Sequence, residues 1–87
     1  MAATSLRASP VIRKSPSPLP SQIIAARDAL QEFRKCGITE AQELCAEMLH
    51  TSHRAFRQWE AGDRGMHAAF FNLLQIKLRA MGIDVAV

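Results

Sequence analysis

At 87 residues the chain allows one small domain, near the size at which a single hydrophobic core becomes marginal. Apolar residues make up 48% of it, aromatic and β-branched residues are sparse, and no run is long enough to span a membrane. This composition favours a helical core over a sheet. The net charge of +3 agrees with a polyanionic partner without requiring one. Two cysteines without a secretory signal predict reduced thiols in a cytoplasmic protein.

Residues 1–20 contain all four prolines of the chain and the basic residues Arg7, Arg13 and Lys14, with no acidic residue. This composition predicts a disordered basic arm. Its charges could contact DNA phosphates or a minor groove, but three scattered charges make a weak patch, so a solvated tail is the simpler interpretation. An organellar transit peptide is a further alternative, which the prolines disfavour because they oppose an amphipathic helix.

Residues 21–87 are predicted to form one all-α domain. Its first helix begins after Ser21 as N-cap and ends at Gly37. Its apolar face recurs at three- and four-residue spacing and comprises Ile23, Ala26, Leu30 and Phe33. The opposite face, which includes Arg27, reads as an ordinary solvated mixture.

The second helix opens with a predicted capping box, in which Thr39 is the N-cap and Gln42 the third helical residue. Its buried side is predicted to be Ala41, Leu44, Cys45, Met48 and Leu49. A short linker then leads to the third helix. Helix, short turn and helix are the parts of a helix-turn-helix unit.

The third helix is predicted between Ser52, a good N-cap, and Gly62, a good C-terminal stop. Helical spacing divides its side chains into two faces. The inward face is predicted to be Ala55, Phe56 and Trp59, and the outward face His53, Arg54, Arg57, Gln58 and Ala61. The outward face is rich in hydrogen-bond donors and contains no acid, which is the composition needed to read base edges in a DNA major groove.

The fourth helix is predicted from about Met66 or His67 to Met81, with Gly82 as its stop. Its apolar residues are too many for a single stripe, so one face should complete the core around Trp59. The remainder is expected at a homodimer interface. The residues predicted there are Phe71, Leu74, Leu78 and Ile83, with Val85 beyond them.

Residues 42–62, their lead-in Gly37-Ile38-Thr39 and the ending Trp59-Glu60-Ala61-Gly62 resemble the phage repressor and Cro-like helix-turn-helix domain of the XRE family. The resemblance covers roughly residues 21–81. It implies a repressor-like fold of four to five helices, of the small phage or plasmid type. It also implies a transcriptional regulator that binds an inverted-repeat operator on double-stranded DNA as a homodimer, without a cofactor.

The resemblance also implies roles for individual residues. Gln42 would bond a phosphate and buttress the reading helix, and Ser52 would cap that helix and reach a phosphate. Bases would be read by His53, Arg54 and Gln58, with Arg54 on a guanine and Gln58 on an adenine. The full predicted DNA-binding set is Gln42, Thr51, Ser52, His53, Arg54, Arg57 and Gln58. In the family Glu60 is structural.

Other classes of function are weaker fits to these residues. The spacing of Cys36, Cys45, His50 and His53 matches no usual zinc pattern, and a capping serine beside a histidine lacks a third catalytic group. Trp59 and Phe56 fit a core better than a base-stacking surface. We therefore expect no enzyme activity, metal or small-molecule ligand, and a cytoplasmic protein that is nucleoid-associated when bound to DNA. The alternative is an antitoxin-type or other protein-interaction module.

Overall fold

The computed structural model describes residues 17–84, and this part of the chain contains four helices and no strand. The helices are α1 (Pro20–Arg34), α2 (Ile38–Met48), α3 (His53–Ala61) and α4 (Ala68–Ala80). They pack into a compact all-α domain, which confirms the all-α part of the predicted fold class. Residues 1–16 of the predicted arm lie outside the described residues. No helix of the described part is long and apolar enough to cross a membrane.

The N-cap residue of α1 lies two residues before the predicted Ser21. Leu19 is the N-cap residue and Pro20 the first helical residue. Proline suits that position because its φ is already helical and it has no N–H to leave unpaired. Gln22 completes the start, since its Oε1 accepts a hydrogen bond from the Leu19 backbone N–H at 2.8 Å. Pro20 thus belongs to the domain rather than to the arm.

The turn between α1 and α2 is tighter than predicted. α1 ends at Arg34, and Lys35, rather than Gly37, takes the left-handed conformation with φ 54°. Gly37 is instead the N-cap residue of α2, with φ −82°. Because α2 begins at Ile38, Thr39 lies inside the helix and the predicted capping box does not form.

The core is built from one face of every helix and from the segments after α2, before α4 and after α4. Its buried members are Ile23, Ala26, Leu30, Cys45, Ala46, Leu49, Phe56, Trp59, Met66, Phe71, Leu74, Leu78 and Ile83. The prediction that Phe56 and Trp59 face inward is confirmed. Phe33 was predicted on the apolar face of the first helix but is 52% exposed, since it lies in the last turn of α1 beyond the core.

α4 closes the core over α1 and α2. Lys77 ties its C-terminal half to α2 by donating from Nζ to the Met48 carbonyl oxygen at 2.6 Å. The residues predicted at a dimer interface, Phe71, Leu74, Leu78 and Ile83, are all buried inside the single chain. That prediction is wrong, because these side chains fill the core and leave no surface for a partner. Val85 lies outside the described residues.

Candidate nucleic-acid interface

α2 and α3 are joined by the four-residue turn 49–52, as in a helix-turn-helix unit. The chain reverses at His50, which takes the left-handed conformation with φ 57°. The backbone N–H of Thr51 then donates to the Ala46 carbonyl oxygen at 2.9 Å, which fixes the turn against the end of α2. The half-buried Thr51 therefore lies between α2 and the start of α3.

Both predicted ends of the third helix are confirmed. Ser52 is its N-cap residue, and Ser52 Oγ accepts a hydrogen bond from the Ala55 backbone N–H at 3.0 Å. Gly62 ends the helix in the left-handed conformation with φ 83°. A side chain there would be strained by the positive φ, although a Cβ would lie at an ordinary contact distance of 3.5 Å from Pro20 Cγ of α1.

Arg54 and Arg57 are exposed on the surface of α3, with Gln58 half-buried beside them. These three residues and Asp63 line one shallow depression. The backbone N–H of Asp63 donates to the Gln58 carbonyl oxygen at 2.9 Å, so the carboxylate is held beside the arginines by the turn after the helix. Asp63 is not among the residues predicted from the sequence to lie at this surface.

Behind α3 lies an ion pair between Arg27 of α1 and Glu60 of α3, whose side chains are only 7% and 8% exposed. Arg27 Nε donates to Glu60 Oε2 at 2.8 Å and Nη2 to Oε1 at 3.3 Å. Nη1 donates to Asp28 Oδ1 and Gln31 Oε1, each at 2.6 Å. The hydrogen bond to Glu60 raises the pKa of Arg27, although burial acts in the opposite direction.

The reading of Arg27 as a solvated residue is therefore wrong. Its guanidinium donates four hydrogen bonds to other side chains of the protein. No spacing in the sequence distinguishes this arginine from its exposed neighbours. A buried arginine needs a carboxylate partner, and that partner stands 33 residues away on another helix.

Gln42 extends this pair into a network of three helices. Its Nε2 donates to Glu60 Oε1 at 2.9 Å, and its Oε1 lies 3.1 Å from His53 Nε2. The residue is buried, with both ends of its amide bonded inside the protein. The structure thus places Gln42 where it supports α3 and does not bring it to the surface with the arginines.

The same network fixes the direction of the hydrogen bond between Gln42 and His53. A carboxylate only accepts hydrogen bonds, so Gln42 presents its NH₂ group to Glu60 and its oxygen to the imidazole. That oxygen also only accepts, and His53 Nε2 therefore carries a hydrogen and donates it inward. The other ring nitrogen of His53, Nδ1, lies 3.8 Å from Glu43 Oε2, and the two side chains attract each other when the imidazole is protonated. His53 is consequently a link in the network more than a free reading residue.

An acidic groove borders the N-terminal end of α3. It is lined by Glu40, Glu43, Leu44, Ala46, Glu47, Thr51 and His53. The three glutamates are exposed on α2. The three glutamates therefore lie near His53 at the start of α3, whereas Asp63 is the acidic residue that lines the depression with the two arginines.

The described residues contain no cluster of three or more histidine, cysteine, aspartate or glutamate side chains that could hold a metal ion. Both cysteines are free thiols. Cys45 lies in the core, and its burial raises the pKa of the thiol to about 12, so the group is neutral near pH 7. A neutral buried thiol neither binds metal nor acts as a nucleophile.

No protein-family model matches the chain, and no curated protein matches it. The likeness to repressors therefore depends on the residues and on the geometry of α2 and α3 described above.

Proposed function

We propose that the protein is a sequence-specific duplex DNA-binding protein of the helix-turn-helix type, and that it acts as a transcriptional repressor. The observation that carries this proposal is the surface of α3. Arg54 and Arg57 are exposed there beside Gln58, on a helix capped by Ser52 and tied from behind to α1 and α2.

The side chains on this surface have the chemistry of direct base reading. A guanidinium donates two hydrogen bonds to O6 and N7 of guanine, and a glutamine amide both donates to and accepts from adenine. α3 has nine residues and is about 14 Å long at 1.5 Å per residue, which suits a major groove about 12 Å wide. Arg54 and Gln58 lie one turn apart and would reach neighbouring base pairs, with Arg57 on a base or a phosphate.

The network behind α3 supports this function by limiting movement of the helix. Reading groups need a fixed backbone, because small displacements break two-point hydrogen bonds to a base. A buried ion pair adds little to stability compared with apolar packing, so its value here is in orientation. Glu60 receives hydrogen bonds from α1 and α2 together, which fixes α3 relative to both supporting helices.

Two copies of the chain would place their reading helices about 34 Å apart on one face of the duplex and recognise an inverted repeat. Occupying such a site within a promoter is sufficient for repression and requires no cofactor.

A second candidate function is a module whose main partner is a protein. It is favoured by the exposed apolar residues Ile38 and Ile76.

A mobility-shift titration of the full chain on random duplex DNA across a salt series tests the proposal. The variant Arg54→Ala/Arg57→Ala should lose most binding. The charge-matched control Arg34→Ala/Arg79→Ala removes two exposed arginines from α1 and α4 and should bind like the unchanged protein. Affinity should fall steeply with salt, because each phosphate contact releases counterions. Absence of binding even at low salt, or equal loss in both variants, would contradict sequence-specific binding through α3.

A further inference from the structure

α4 carries a second apolar stripe on the side that faces away from the core. We call Ala69, Leu73, Ile76 and Ala80 the outer stripe. Its members are spaced by four, three and four residues, so they share one face of the helix. Three of them are exposed, Leu73 is half-buried, and Ile76 is 59% exposed. The core uses the opposite face, formed by Phe71, Leu74 and Leu78, and Leu73 packs partly against it. Ala69, Ile76 and Ala80 stay exposed within the described residues 17–84.

We propose that the outer stripe is the interface between two copies of this chain, with the two α4 helices antiparallel. The inference depends on the proposed function only in that an inverted repeat calls for two copies. The stripe reads the same from either end, as small, large, large, small with spacings of four, three and four. A two-fold interface requires this self-complementarity, because residue i must contact j while j contacts i. Ala69 then lies against Ala80 of the second copy, and Leu73 against Ile76.

The charges of α4 select the antiparallel arrangement. Lys77 and Arg79 lie in the last turn, and the helix contains no acidic residue. Parallel helices would bring these cations of both copies together at one end. Antiparallel helices place them at opposite ends, beside the uncharged first half of the other α4. The outer stripe itself carries no formal charge, so bringing it against a copy of itself desolvates no ion.

The size of the stripe indicates a weak dimer. Four side chains cover much less than the roughly 800 Å² per partner of a standard stable interface. We therefore expect a dissociation constant on the order of micromolar or weaker for α4 contacts alone. The spacing allows the side chains to interlock as in a short coiled coil. On DNA, two adjacent half-sites would also hold the two copies together.

Disulfide trapping without DNA tests the arrangement. In a Cys36→Ser background, the variant Ala69→Cys/Ala80→Cys should form a covalent dimer under mild copper-catalysed oxidation by air. The single variants Ala69→Cys and Ala80→Cys are the matched controls. Identical positions lie about 16 Å apart along antiparallel axes, eleven residues at 1.5 Å each, which exceeds the reach of a disulfide. Efficient dimers of the single variants would overturn the antiparallel arrangement, and monomers of all three would overturn the interface.

Sedimentation equilibrium of the free protein gives a second measurement. Ile76→Glu should weaken self-association about tenfold or more, since it places a carboxylate in the seam. Ile38→Glu is the same substitution at a 53% exposed position on α2 and should leave self-association unchanged. Equal effects of the two variants, or none, would overturn the proposal. Because no DNA is present, these outcomes are independent of whether α3 reads DNA.

Discussion

Arg27 of α1 and Glu60 of α3 form a buried ion pair directly beneath the helix that is proposed to read DNA. The same carboxylate accepts a hydrogen bond from Gln42 of α2, whose oxygen in turn faces His53 at the start of α3. Glu60 is thus a contact point of the three helices α1, α2 and α3, which pack against one another. The orientation of α3 depends on polar contacts as well as on apolar packing.

Replacing Arg27 by methionine should lower the free energy of unfolding by about 3 kcal/mol, because Glu60 would remain buried without its counter-ion. Urea denaturation of the unchanged protein and the variant measures this difference. Arg34→Met, an exposed arginine of the same helix, is the control and should change stability by about 0.5 kcal/mol or less. If the two variants were equally stable, the ion pair would contribute nothing to the fold.

Ser52→Ala should lower stability by about 1 kcal/mol, since the N-terminal N–H of Ala55 would lose its hydrogen-bond acceptor. Ser52→Asp keeps an acceptor at that position and should retain most of the stability. It also adds a negative charge next to the proposed DNA surface and should weaken binding to DNA. Thermal unfolding and a mobility shift separate these effects, and full DNA affinity in Ser52→Asp would place the cap away from the phosphates.

Helical spacing was sufficient to predict most of this fold. Ser52, Gly62 and the inward pair Phe56 and Trp59 follow from local rules of capping and amphipathicity, and all lie as predicted. The predictions fail where contacts between helices determine which side chains are buried. α4 has apolar residues on two faces, and only the packing of the other helices determines that Phe71 faces the core while Ile76 faces solvent.

The exposed residues of the candidate site could be predicted from the sequence, but the buried residues that support them could not. Arg54 and Arg57 are exposed because they lie on the outward face of α3, which follows from helical spacing. Arg27 and Gln42 are buried because a partner on a distant helix meets them, and no local pattern reports that partner. The end of α1 was also mispredicted. Gly37 was expected to end the helix, but Lys35, two residues earlier, takes the left-handed conformation.

Cys45 should make stability fall with rising pH in the alkaline range. Its pKa is raised by burial from 9.0 to about 12, so the unfolded chain ionises first. The contribution is fully present below about pH 9 and is lost as pH rises towards about 12. Urea denaturation at several pH values should show a steeper alkaline decline for the unchanged protein than for Cys45→Ala. Equal slopes would mean that the thiol is accessible to water.

A thiol reagent at pH 8 gives an independent reading of the same burial. Cys36 is half-exposed and should react quickly, whereas Cys45 should react only as fast as the domain opens. Addition of denaturant should make both thiols react together. Two rapid equivalents in the native protein would contradict the buried position of Cys45.

The fluorescence of Trp59 should depend on the packing of the core and not on the binding of DNA. It is 6% exposed, and its ring centroid lies 5.4 Å from that of Phe70 and 6.1 Å from that of Phe56. Its fluorescence, the only tryptophan signal of the chain, should be weakly quenched by acrylamide until the domain unfolds. Saturating duplex or single-stranded DNA should change that emission little. Strong quenching by single-stranded DNA would indicate base stacking and contradict the inward assignment.

Arg54 and Arg57 should differ in what they read, although both are exposed on α3. Arg54→Ala should relax the preference at one base pair of a selected binding site by about 1–3 kcal/mol, because two hydrogen bonds to a guanine are lost. If Arg57 contacts a phosphate, Arg57→Ala should weaken all sequences alike and reduce the slope of log affinity against log salt by about one. Selection from a random duplex pool and a salt titration distinguish the two patterns. Uniform weakening by Arg54→Ala would assign that arginine to the backbone and leave Gln58 as the remaining direct reader on the exposed face.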